Sequence, residues 1–302
     1  MLDLLKRLIQ EPPPAMAFEI SEGGIAAARL GADPLIEFRP FQPGVLSVSP
    51  LHENVVDADQ FASVVRGLWA SRGSRKRRDV TLILPDYATR MAVLDFDQFP
   101  SDAKEQLSLV RFRLKRSVPF DVEGAVLSYW PQIGTQKGTK PVPDKKCDVL
   151  AILAPFEIVA RYEAPFRAAG MNPGLVTTST LAALELAPEA GLSVVAKLTG
   201  RVLTVVVRDH ALIKLVRCLE VASQQFDDIA AVLLPTFVYV EDNLGRAADS
   251  LFLCGFGGQI EAARRRFHDE LGVAVEALES PFGAPGENNA GLLGFLRSVA
   301  RN

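Results

Sequence analysis

Three glycines in four residues, Gly255, Gly257 and Gly258 around Phe256, close an apolar run over residues 251–254 and precede a helical pattern over 259–271. Strand, glycine turn and helix start in that order let backbone approach a flat or anionic group closely, because glycine has no Cβ and the first amides of a helix lack partners. The chemistry that suits this turn is nucleotide binding. The plainer reading is a turn that packs a strand tightly against the next helix, and Phe256 favours it. The rest of the chain must supply the acids that a metal-bound nucleotide needs. His52, His210 and His268 are isolated, and no Ser/His/Asp, His-Glu-x-x-His or Walker-type pattern is present. No catalytic residue and no metal ligand is assigned.

The elements that would position the glycine turn occur as a repeated order. Residues 15–20, 25–30 and 35–39 read as a three-strand meander joined by turns at 21–24 and 31–34. Residues 193–198, 202–207 and 211–216 repeat it, with turns at 199–201 and 208–210. After the first meander, Phe61, Val64, Val65 and Leu68 lie at helical spacing behind Asp57 or Asp59 as a cap, and a strand follows over 80–84. After the second, a helical pattern over 225–243 stops at Gly245, and 250–254 is the next strand. The second half continues with the helix at 259–271, a strand at 273–277 and a helix from Asn289 onward. Three antiparallel strands followed by alternating helices and strands describe a ribonuclease-H-like unit, and two in tandem describe the actin and sugar-kinase architecture.

Composition sets the outer bounds. With 302 residues, 48% hydrophobic and 23% charged, the chain is globular material and buries roughly 75% of its extended surface. A net charge of −3 argues against general nucleic-acid binding. Cys147, Cys218 and Cys254 form no C-x-x-C pair and read as buried structural thiols of a reducing compartment. The apolar stretch at 229–240 is broken by Pro235 and is shorter than the roughly 18 residues of a membrane span. Residues 1–14 form a short amphipathic segment ending in Pro12, Pro13 and Pro14, with no secretory cleavage pattern.

The first half carries an insertion. Residues 91–97 alternate as a strand, and Ser101 caps a helix whose Leu107, Val110 and Leu114 share a face. Strands at 125–130 and 148–153 flank a polar loop over 134–146, and a helix at 155–169 stops at Gly170. The organisation is therefore an N-terminal segment 1–14, a first ribonuclease-H-like domain 15–86 with 173–190, an inserted α+β subdomain 87–172, and a second ribonuclease-H-like domain 191–302. Two basic clusters stand out: Arg72, Arg75, Lys76, Arg77 and Arg78 in a loop, and Lys104, Arg111, Arg113, Lys115 and Arg116 on the inserted helix. Solvation is the default for both; the functional alternative is anionic lipid or an acidic partner for the first, and docking of a partner for the second.

Phe99, Pro100 and Ser101, the helix from Glu105 to Arg116, the step Val118, Pro119, Phe120 and the strand Leu127, Ser128, Tyr129 resemble the PilM group of actin-like proteins of type IV pilus assembly. That group is related to the cytoplasmic part of GspL in type II secretion and to the division protein FtsA. The resemblance runs from Phe18 to Arg297 and rests on the order of the motifs. It implies ATP bound between the two halves, and capture of the N-terminal cytoplasmic tail of a bitopic inner-membrane partner, PilN-like, beside the inserted subdomain. Arg111, Leu114, Lys115, Pro119 and Phe120 are the expected tail contacts. The implied location is cytoplasmic and peripheral at the inner membrane; membrane contact and self-association stay open.

On that resemblance the nucleotide residues are Glu19, Ser21, Gly23, Gly24, Lys197, Thr199, Gly200, Gly255, Gly257 and Gly258, and three departures stand against them. Where relatives read Asp-Ile-Gly, this chain has Glu19, Ile20, Ser21, and Glu19 as a lone strand carboxylate is expected at the surface. Where the second meander should bring an Asp, it has Lys197, expected to be exposed or ion-paired. An ammonium cannot replace a carboxylate that holds Mg²⁺ through water. Finally, Val216 leads directly to Gln225, so no roof subdomain covers an adenine. The expectation is a non-catalytic actin-like scaffold with no cofactor. The alternative is a working ATPase or nucleotide-switched assembly protein using ATP and Mg²⁺. A sugar-kinase-type enzyme would need an acceptor-deprotonating Asp and Gly/Thr-rich phosphate loops, and the chain shows neither.

Overall fold

The computed structural model describes residues 14, 16–31, 33–70, 78–132 and 146–301. The amphipathic segment apart from Pro14, the basic run at 72–77 and nearly all of the polar loop at 134–146 lie outside them.

Three sheets organise the described chain. In the first, β1 (Met16–Ser21), β2 (Gly24–Arg29) and β3 (Leu35–Pro40) form the antiparallel meander. After α1 (Ala58–Ala70), β4 (Asp79–Leu84) joins β1 in parallel, and the late strand β8 (Asn172–Thr178) closes the order β3-β2-β1-β4-β8. The second sheet repeats that order with β9 (Leu192–Thr199), β10 (Val202–Asp209), β11 (Leu212–Glu220), β12 (Ser250–Cys254) and β13 (Ala274–Ala277), arranged β11-β10-β9-β12-β13. Its helices are α5 (Phe226–Leu244) and α6 (Ile260–Leu271). The doubled meander read from the sequence is thus two sheets of one topology, and only residues 221–225 separate β11 from α5, so the roof subdomain is absent.

In the first two sheets β1, β4, β9, β10 and β12 are nearly continuous buried runs because both faces are covered, whereas the edge strand β3 is largely exposed. Outward, β1 and β2 pack Phe18 and Ile25 on Phe61, Val65 and Leu68 of α1. Inward, the small Ala17, Ala26 and Ala28 share a core with Val195 and Val206 of the second sheet, with the short helix α4 (Ser179–Ala183), and with the last helix, α7 (Ala290–Arg301). That helix belongs by sequence to the second half, yet it packs on α4 in the first. A Cβ on Gly291 would sit 2.8 Å from the Ser179 carbonyl oxygen, and one on Gly294 would sit 2.1 Å from that of Ala182. Two glycines on one helical face set the close approach.

The third sheet, β5 (Arg90–Phe96), β7 (Cys147–Pro155) and β6 (Ala125–Gln132) in that order, packs one face on α2 (Ala103–Leu114). Asp102, and not Ser101, caps α2, its carboxylate accepting from the amides of Lys104 and Glu105. A carboxylate there also meets the positive end of the helix dipole. The helix α3 (Phe156–Ala168), assigned by sequence to the insertion, buries Ile158, Tyr162 and Phe166 in the outer core of the first sheet. Phe166 lies 5.0 Å from Phe18 between ring centroids, and Tyr162 donates to Asn54 at 3.0 Å. The insertion is clamped to the edge strand β11: the Gln132 side chain donates to the Ile213 carbonyl at 2.7 Å and accepts from its amide at 2.6 Å, and Lys214 pairs with Asp148 at 2.8 Å. This covers an edge that would otherwise be open to strand pairing.

Candidate functional site

Alternation along the strands decides which side chains meet between the two halves. In β1, Met16, Phe18 and Ile20 enter the outer core, so Glu19 and Ser21 face inward with Ala17. In β9, Leu192, Val194, Ala196 and Leu198 go outward, so Lys197 and Thr199 face the same space with Val195. Thr204 of β10 and Asp86, in the single turn after β4, complete the inner set. Glu19, Ser21, Asp86, Lys197 and Thr199 border a cleft of about 440 Å³ rimmed by the two hairpin turns.

Every carboxylate oxygen of this set is engaged. Glu19 is 1% exposed, against the surface position expected of it. One of its oxygens accepts from the Ser179 hydroxyl and the other from the Leu292 amide at 2.7 Å, in the first turn of α7. Asp86, also buried, accepts from the Thr180 amide at 2.8 Å, from the Thr180 hydroxyl and from Thr204 at 3.1 Å. Lys197 is 2% exposed; its ammonium lies 3.9 Å from an Asp86 oxygen and donates to Thr199 at 2.6 Å. Burial pushes the Glu19 carboxyl above the usual carboxylate range, while Lys197, Ser179 and the amides of α7 pull it partly back. Lys197 is therefore the cation of a buried cluster with Asp86 and Glu19. Burial also pushes the thiols of Cys218 and Cys254 up to about 12, which leaves them unreactive.

The two hairpin turns are also held from within the chain. Ser21 donates its one hydroxyl proton to Asn288 at 2.7 Å, with the Gly24 carbonyl 3.1 Å away as the competing acceptor, and Gly23 lies against the same Asn288 amide. The Gly200 amide donates to the Glu287 carboxylate at 3.2 Å, and its carbonyl accepts from Gln224 at 2.7 Å. The glycine turn at residues 255–258 stands apart from this lining. Gly255 has φ +86°, and a Cβ there would fall 1.9 Å from the Leu198 carbonyl oxygen, so its first requirement is packing against β9. Phe256 is buried against Phe267, whereas Gly257 and Gly258 border open space.

Mg-ATP, the group this architecture implies, does not fit the residues present. A buried ammonium stands where a metal-organising acid would be needed, Glu19 is spent on Ser179 and α7, and a carboxylate already sits on the Gly200 amide. Among the described residues no group of three or more His, Cys, Asp or Glu is arranged to hold a metal ion.

No family model and no curated protein sequence matches the chain. Solved structures do. A structure of a PilM–PilN type IV pilus biogenesis complex matches with a TM-score of 0.72 at 19% identity, covering 93% of this chain and 97% of the other. A Bacteroides thetaiotaomicron protein with an actin-like ATPase fold and unknown function matches at 0.54 and 13% identity, over 93% and 94%. The chain has an actin-like ATPase fold. A third match within this fold, the cytoplasmic domain of EpsL, an inner-membrane component of the Vibrio cholerae type II secretion system, scores 0.51 at 12% identity over 94% of each chain.

The remaining candidates lie on the third sheet's helix and the loop after it. Leu114 is fully buried in that subdomain's core and is a packing residue, not a surface contact. Arg111 turns inward to the Val122 carbonyl and pairs with Glu123 at 3.6 Å, which removes it from the solvated stripe expected of it. Lys115 and Pro119 are exposed, and Phe120 is half-buried against the same core. Phe112, 67% exposed on α2, carries no signal in the sequence because it falls between basic residues. Asp86, Ser179, Thr180, Thr204, Glu287 and Asn288 were missed as site residues too. The only local signal was an acid directly after a strand, at Leu84, Pro85 and Asp86.

Proposed function

We propose that this chain is a nucleotide-independent, actin-like scaffold of a type IV pilus or type II secretion inner-membrane platform. It acts at the cytoplasmic face by capturing the N-terminal tail of a bitopic, PilN-like partner. The observation that carries the nucleotide-independent part is the buried Lys197 beside Asp86, a fixed cation inside the cleft. The fold shared with a PilM–PilN complex and with an EpsL cytoplasmic domain supports the platform role. Among the described residues no helix is long and apolar enough to cross a membrane, which is compatible with attachment through a partner. Exposed Lys115 and Pro119, with Phe120 behind them, are the tail contacts, and peptide capture of this kind gives affinity without chemistry.

Titration calorimetry tests both parts. The N-terminal cytoplasmic peptide of a single-span protein encoded beside this chain should bind saturably, with an affinity that Mg-ATP does not change. Mg-ATP alone should give no saturable heat. Micromolar Mg-ATP binding, or ATP turnover abolished by Glu19→Ala, would establish the alternative of a nucleotide-switched assembly protein, for which the size of the cleft, within the range of ligand pockets, is the favouring observation.

A further inference from the structure

Residues Glu287 and Asn288 lie just before α7, separated from it by Asn289, and each reaches one of the two hairpin turns that rim the cleft. On the second-half side, the Gly200 amide donates to the Glu287 carboxylate at 3.2 Å, and Thr199 donates to the Glu287 carbonyl at 3.4 Å. Thr199 is the residue that receives the Lys197 ammonium, so the contact continues into the buried charge cluster. On the first-half side, Ser21 donates to Asn288 at 2.7 Å and Gly23 lies against the same side chain. Residue 292, five beyond Glu287, then gives its amide to Glu19. A six-residue stretch thus touches both turns and the base of the first sheet.

The chemistry of these contacts is that of an anion on a turn. Backbone amides exposed at tight turns collect negative charge, and a carboxylate meets that need as a phosphate does. We infer that Glu287 is an intrachain anion seated on the Gly200 turn, and that with Asn288 it ties the two halves together over a site that would otherwise accept a polyphosphate-class anion. The inference deepens the nucleotide-independent reading and rests on it: with Lys197 as the internal cation, Glu287 supplies the internal anion. Because Glu287 is exposed, solvent competes for the contact, and its removal should loosen the turns without unfolding the sheets.

Hydrogen exchange followed by mass spectrometry on the full chain, with inorganic pyrophosphate as the probe, tests this. In Glu287→Ala, the peptide spanning residues 199–202 should exchange about tenfold faster than in the wild type. Millimolar pyrophosphate should slow it again in the variant and leave the wild type unchanged. Glu287→Gln, which keeps an acceptor but loses the charge, should fall between the two, and it gives the same reading if the alanine variant does not fold. The inference is overturned if the charge-removed protein exchanges like the wild type, or if pyrophosphate protects both proteins equally or neither. No nucleotide enters this experiment, so its failure is distinct from micromolar Mg-ATP binding, which would end the functional reading instead.

Discussion

Replacing Lys197 by methionine keeps the length of the side chain and removes its charge. At 3.9 Å and an effective dielectric constant of about 20, the attraction between Lys197 and Asp86 is about 4 kcal/mol. Removing one partner of a buried pair typically costs about 3–5 kcal/mol, so the two figures agree. For a chain of 302 residues this corresponds to a fall of about 5–8 °C in thermal midpoint. The deficit should also depend on pH. Lys197 holds the Glu19 carboxyl down against the upward push of burial, so its loss raises that group further. A carboxyl whose pKa is higher folded than unfolded contributes stability below its unfolded pKa, and this is lost as pH rises through the folded value. The deficit of Lys197→Met is therefore largest near pH 8 and shrinks toward pH 5. The triple variant Glu19→Gln, Asp86→Asn, Lys197→Met should recover most of it, since the amides can still accept from Leu292 and Thr180 while no buried charge is left unpaired. Thermal melts by circular dichroism across that pH range measure all three proteins. A deficit below about 1 kcal/mol at pH 8, or one that does not change with pH, would refute Lys197 as the charge partner of this cluster.

Four further outcomes are expected. Gly255→Ala should cost more than about 3 kcal/mol in urea unfolding, because φ is +86° and the methyl meets the Leu198 carbonyl, whereas Gly257→Ala, at φ +52° in open space, should cost about 1–2; equal costs would remove the packing role given to Gly255. Gly294→Ala should destabilise by about 1–3 kcal/mol through contact with the Ala182 carbonyl, the reverse of the gain of about 1 expected at an exposed helical glycine. Leu114→Ala should lose about 2–5 kcal/mol of stability. Lys115→Glu should leave stability unchanged and weaken binding of the partner-tail peptide about fivefold, and a Lys115 variant with unaltered affinity moves the tail site elsewhere.

The elements were legible where local pattern alone decides them. Both meanders, the Gly245 stop and the strand at Ser250–Cys254 are signalled by apolar runs and turn residues, and the structure moves their ends by only a few residues. The cap of α2 was displaced by one residue because Ser101 and Asp102 are both good caps and only the hydrogen bonds choose between them. What was not legible depends on contacts far apart in the chain. Nothing near Glu19 announces that Ser179 and Leu292 will take its oxygens, and nothing near Lys197 announces Asp86. A carboxylate on a strand reads as exposed until its counter-charge is known. The helices α3 and α7 share this limit: amphipathic spacing identifies them, but it cannot name the sheet that each will cover.

The charge cluster also bears on how the proposed scaffold would be regulated. A ligand shifts a conformational equilibrium only by the difference between its affinities for the two states. In a nucleotide-switched protein of this fold, cation and anion arrive together in the cleft and leave together. On the nucleotide-independent reading proposed above, both are side chains, Lys197 from β9 and Glu287 from the approach to α7, and their contribution would be the same whatever the nucleotide concentration. Control then falls to surfaces outside the cleft. The third sheet is the best connected of these, since Gln132 and Lys214 couple β6 and β7 to β11 of the second half, while α2 on its other face carries Lys115 and Phe112 into solvent. A tail bound at that helix would act on the second half through a hydrogen-bonded edge and not through a nucleotide. Tail affinity indifferent to Mg-ATP is the thermodynamic signature of that arrangement, because two ligands that share no responsive element cannot be coupled.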